Sequence, residues 1–137
     1  MSFDKNSLVK NWIEKSFRTL LVAKLNFEKG FYETTINRLY YAVFYMMNAY
    51  LQLKNISFKK HSAVRSFFNR EFIRTGLLDI HYSDIYNRLY ELREEADYSL
   101  SLDIEKDKTE WYIHQTENLL KELEKIIKKE MENNDYT

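Results

Sequence analysis

Apolar residues along this chain recur mainly at intervals of three and four, and no strand is read from the pattern. Five helices follow. The first is predicted over about residues 7–29, with Trp12, Ile13, Phe17, Leu20, Leu21 and Phe27 at helical spacing and Gly30 as its stop. The second covers about residues 32–53. Its stripe is Ile36, Tyr40, Val43, Met47 and Leu51, and at 1.5 Å per residue it spans roughly 33 Å. Two long helices joined by a glycine turn make an antiparallel hairpin. After a connector at residues 54–60, a shorter helix over about residues 61–74 presents Val64, Phe67, Phe68 and Phe72. Ser83 reads as the N-cap of a fourth helix, about residues 84–97, whose stripe is Ile85, Leu89, Leu92 and Ala96. A loop at about residues 98–103 precedes the fifth. That helix begins between Ile104 and Lys108, runs to about Met131, and carries Ile113, Thr116, Leu120, Leu123 and Ile127. The expected fold is all-α: an up-and-down antiparallel bundle of four main helices plus one short helix. It forms a single domain over residues 1–132 with a frayed tail at 133–137.

Composition sharpens this picture. With no proline and only Gly30 and Gly76 as glycines, little interrupts helices. The absence of cysteine excludes disulfides and thiolate metal sites. Lys+Arg and Asp+Glu are equal at 21, which argues against a general basic coat for nucleic acid while leaving room for a local basic cleft. The first residues hold no signal-peptide core, and no apolar run approaches the ~18 residues of a membrane span. A soluble, cytoplasmic protein without a membrane partner is expected. Tyrosine is the unusual count, at 11. A surplus of flat residues with polar tips marks partly buried interfaces, and AT-rich codon bias explains it equally well.

Two helix faces carry candidate chemistry. On the second helix Arg38, Tyr41, Tyr45 and Asn48 form a strip roughly opposite the core stripe. An aromatic and amide strip with one arginine suits an interface or a cleft wall. A central helix buried on both sides accounts for it as well. On the fourth helix Tyr86, Tyr90, Arg93 and Asp97 share a face, with Arg93 and Asp97 spaced to pair. The plain reading is a surface ion pair beside two rim tyrosines. His61, at a basic helix start with Lys59, Lys60, Arg65 and Arg70, reads first as a local cap or turn residue and second as a phosphate ligand. The three histidines have no metal-ligand spacing, and no phosphate loop or nucleophile triad is present, so no metal or cofactor is implied.

The segments INRLYYAVFYMMNAYL, KKHSAVRSFFNREFIRTGLL and LYELREEADYSLSLD, in this order and spacing, resemble the HEPN domain (higher eukaryotes and prokaryotes nucleotide-binding) over nearly the whole chain. The likeness is to its small stand-alone prokaryotic members. The resemblance implies a helical bundle that often forms a homodimer. It implies a frequent partner, a minimal nucleotidyltransferase encoded beside it, in toxin–antitoxin or defence systems. It also implies a metal-independent endoribonuclease motif, an arginine followed after four to six residues by a histidine. The arginine holds phosphate, and the histidine activates the ribose 2′-hydroxyl or protonates the leaving group.

Here the motif arginine is Arg93, but the histidine positions hold Tyr98, Ser99 and Leu100. A tyrosine with an ordinary pKa near 10 is a poor base at neutral pH. His61 or His81 substitutes only if the fold carries one of them to Arg93, and the expectation is that it does not. The leading reading is therefore a nucleotide-binding and interaction module, dimeric and serving a nucleotidyltransferase partner. Its ligand or partner contacts come from Arg38, Tyr41, Tyr45, Asn48, His61, Tyr90 and Asp97. The alternative is an endoribonuclease toxin that works with a degenerate Arg93-x4-Tyr98 motif on RNA. A structural bundle without a ligand is the third reading.

Overall fold

The computed structural model describes residues 4–98 and 102–135. Five helices follow one another: α1 (Lys5–Glu28), α2 (Tyr32–Lys54), α3 (His61–Phe68), α4 (His81–Tyr98) and α5 (Lys106–Asp135). A π-helical turn, Asn69–Ile73, extends α3, and there is no strand among the described residues. No helix among them is long and apolar enough to cross a membrane. Of the expected tail, residues 133–135 continue α5, while 136 and 137 lie outside the described residues.

The α1–α2 hairpin turns where the sequence places it. Gly30 takes φ +81°, the left-handed conformation that a side chain disfavours. The Gly30 N–H then donates to the Phe27 carbonyl at 3.0 Å and the Phe31 N–H to the Asn26 carbonyl at 2.9 Å, which satisfies the last carbonyls of α1. The end of α2 repeats the device at Asn55, φ +59°, with the Ile56 N–H donating to the Leu51 carbonyl at 2.9 Å. Asparagine is the side chain that best tolerates this region after glycine.

Helix α2 is the axis of the molecule and packs against α1, α5, α4 and α3. Its stripe Ile36, Tyr40, Val43, Met47 and Leu51 is buried, as are Leu120, Leu123 and Ile127 of α5 and Ile85, Leu89 and Leu92 of α4. The face of α1 differs from the expectation. Leu21 is 57% exposed, and Trp12, Phe17 and Phe27 are only partly buried. The buried face is Val9, Ile13, Ser16, Leu20 and Ala23. Small residues let α1 approach α2 closely, and the buried Ser16 hydroxyl donates to the Ala42 carbonyl at 2.6 Å. A search for large apolar residues passes over a face of this kind.

Helix α4 also starts earlier than expected. Asp79, not Ser83, receives its first turn, accepting from the His81 N–H at 2.9 Å. Ser83 lies inside the helix, where its hydroxyl donates to Asn69 Oδ1 at 2.6 Å. Asn69 Nδ2 donates to Asn87 Oδ1 at 3.1 Å, and Asn87 Nδ2 to Ser83 Oγ at 3.2 Å. This closed ring of side chains fastens the π turn to α4.

Leu123→Ala removes a fully buried side chain and is expected to lower unfolding stability by about 2–5 kcal/mol in urea titrations. Leu21→Ala, despite its place in the apolar repeat, is expected to change it by less than about 0.5 kcal/mol.

Candidate functional site

Tyr40 is a large aromatic on the central helix with no exposed surface. A buried phenol needs a hydrogen-bond partner, and His61 at the start of α3 supplies one, with its Nδ1 at 2.9 Å from the Tyr40 hydroxyl. The imidazole also stacks on Phe44, with centroids 4.2 Å apart, and meets the edge of Tyr41 at 5.8 Å. His61 therefore acts neither as a helix cap nor as a turn residue. The cap position is Lys60, which makes no side-chain capping bond.

Arg93 of α4 closes over the other side of this tyrosine. Its guanidinium carbon lies 4.6 Å from the Tyr40 ring centroid and 5.5 Å from that of Tyr90, within cation–π range. Its side chain is 14% exposed and holds Asp97 at 3.5 Å. Its Nε is buried and has no hydrogen-bond partner among the described residues. Arg65 of α3 lies over Tyr90 at 4.1 Å, and Arg38 of α2 over Tyr41 at 5.1 Å. Three of the seven arginines thus border one aromatic cluster in a chain of zero formal charge. Arg38 is also held by Asn37 Oδ1, at 2.7 Å from Nη2.

The cluster sets protonation states. Burial, and secondly the positive charge of Arg93, push the His61 pKa below its ordinary 6.5. Burial raises the phenols of Tyr40 and Tyr86, with Arg93 opposing in both. At neutral pH the site therefore presents a neutral imidazole between neutral phenols and guanidinium charges.

The sequence-based candidates separate clearly. Arg93, His61, Tyr41, Tyr90, Arg38 and Asp97 come together. Tyr45 lies farther along α2, stacked on Trp12 at 5.9 Å with the Lys15 ammonium 4.4 Å above its ring, and Asn48 lies beyond it. The strip is half-buried, neither a free surface nor a second core face. Tyr98 is 88% exposed at the end of α4, and Ser99 and Leu100 lie outside the described residues. Tyr86, expected at the rim, is wholly buried against Phe68. His81 is occupied elsewhere, 2.5 Å from Asp79. Two contributors were missed: Tyr40, which periodicity assigns to the core, and Arg65. Among the described residues no group of three or more His, Cys, Asp or Glu could hold a metal ion.

The HEPN domain profile matches residues 9–129. This chain belongs to the HEPN family. Among its relatives, a Thermotoga maritima "UPF0332 protein" is 35% identical over 90% of this chain and 94% of its own length. Two Methanocaldococcus jannaschii proteins, each named "Putative toxin", are 34% and 33% identical, covering 84% and 85% of this chain and 78% and 86% of theirs.

The His61 pKa, followed by NMR of the imidazole, is expected below 6.5, and Arg93→Gln is expected to move it upward without fully restoring it. Because the unfolded chain binds a proton that the folded chain disfavours, this contribution to stability is present above about pH 6.5 and falls away as the pH drops through the folded value. His61→Gln removes that part of the pH dependence.

Proposed function

We propose that this HEPN protein is toxin-like and that the Arg93–Tyr40–His61 cluster is where it binds the phosphate of a nucleotide or an RNA strand. The observation that carries this reading is the buried, unpartnered Nε of Arg93 beside a second guanidinium and a neutral imidazole. A buried cationic donor without an acceptor is costly, and a phosphate oxygen is its natural complement. The names of the Methanocaldococcus relatives support the toxin-like assignment. In this reading the protein works as a homodimer with a minimal nucleotidyltransferase partner, as in the systems its family resemblance implies. Arg93→Ala is expected to weaken binding of a fluorescent oligoribonucleotide by about tenfold, read by anisotropy at fixed salt. Equal affinities of variant and wild type would sink the assignment.

A second reading, a metal-independent endoribonuclease, gains from His61. In this reading His61 of α3 takes the place of the histidine missing after Arg93; its Nδ1 is engaged by Tyr40 and its Nε2 makes no hydrogen bond among the described residues. A neutral imidazole can take the proton of a ribose 2′-hydroxyl as that oxygen attacks the adjacent phosphorus. The leaving 5′-oxygen takes a proton from water, so the products are a 2′,3′-cyclic phosphate and a 5′-hydroxyl, while Arg93 neutralises the phosphorane charge. RNA cleavage in EDTA is expected to be lost in both His61→Gln and Arg93→Ala and retained in Tyr98→Phe. Cleavage that survives His61→Gln would remove His61 from the chemistry.

A further inference from the structure

Along α2 from His61 lies a hollow of about 410 Å³. We propose that it is a subsite for one unpaired nucleobase of RNA. The proposal rests on the phosphate-binding reading of the Arg93 cluster and adds to it the means by which a sequence would be read.

The lining has the chemistry of base recognition. Trp12, Phe44 and Phe58 offer aromatic faces, and Asn48, Gln52 and Asn55 offer amide donors and acceptors. None of these three side-chain amides makes a hydrogen bond among the described residues. Among the described residues no charged side chain lines the hollow, in a chain that is 31% charged. A solvated surface would carry Lys and Glu here, and a packed core would carry no free amides. Unpaired bases are held by stacking on aromatic rings while amides bond their Watson–Crick edges.

The hollow is also held in shape. Stacking on Tyr45 fixes Trp12. The left-handed turn at Asn55 folds the following residues back along α2 and brings Phe58, 37% exposed, to the rim against Phe67. Continuity with the cluster comes through Phe44, which forms part of the lining and stacks on His61. Tyr40, beneath Arg93, and Asn48 are eight residues apart, about 12 Å along the helix. A strand whose phosphate lies at Arg93 brings a neighbouring base to the hollow.

The test uses the full chain carrying Trp111→Phe, which leaves Trp12 as its one tryptophan. Short homopolymers of A, C, G and U are titrated in parallel, with anisotropy reporting binding and Trp12 fluorescence reporting stacking. Trp12 is expected to be quenched, with one base preferred. Asn48→Ala with Gln52→Ala is expected to cut affinity for that base about tenfold while sparing the others. Phe58→Ala, on an exposed loop, is expected to weaken all four, and circular dichroism verifies that each variant folds. Arg93→Ala lowers affinity for all four and preserves the preference. RNA binding that depends on Arg93 but shows neither Trp12 quenching nor a base preference altered by the amide variants overturns the base subsite and leaves the phosphate assignment standing. Absence of RNA binding by the wild type overturns both.

Discussion

The hydrogen bond that satisfies the buried hydroxyl of Tyr40 is the contact on which the candidate site depends. The phenol sits on the helix that every other helix packs against. Its one polar atom is satisfied by His61, which fixes the start of α3. Its ring face draws the guanidinium of Arg93, which fixes the inner side of α4. Burying that arginine costs solvation, and aromatic faces and Asp97 only partly replace it. The unpartnered Nε and the depressed imidazole pKa are thus two results of the same burial.

The arrangement also bears on the proposed phosphate site. A chain with no net charge has no long-range attraction for nucleic acid. Here the cations are concentrated instead. Arg38, Arg65 and Arg93 border one aromatic cluster, while ion pairs such as Lys128–Glu124 and Lys125–Glu122 lie along α5. Partial burial against aromatic rings makes a guanidinium count for more than it would on an open surface. Aromatic faces and amides beside it supply contacts that charge alone cannot.

Much of the bundle was legible in the sequence. Long three-and-four repeats report one buried face per helix, and Gly30 reports a turn. What failed did so for physical reasons. Leu21 fits the period of α1 but lies outside its contact, because the close face is built from Ser16 and Ala23. Ser83 has the chemistry of a cap and is used as a crosslink to Asn69. In the site, Arg93 and the α2 strip could be found from residue type and angular position. The meeting of Arg93 with His61 could not, because periodicity describes each helix about its own axis and says nothing of which faces meet. Only the absence of a histidine after Arg93, with His61 in a basic segment, hinted at it.

Helix α3 is latched by side chains at both ends. His61 engages Tyr40 at its start, and the ring of Asn69, Ser83 and Asn87 holds its π-helical end. Between those two points the number of residues is itself a structural quantity. One residue inserted or deleted between His61 and Asn69 turns one latch relative to the other by about 100°. The hydrophobic content of the segment would be almost unchanged, yet the imidazole and the amide ring could no longer both engage. The two latches therefore constrain the length of α3 more tightly than the identity of its exposed residues.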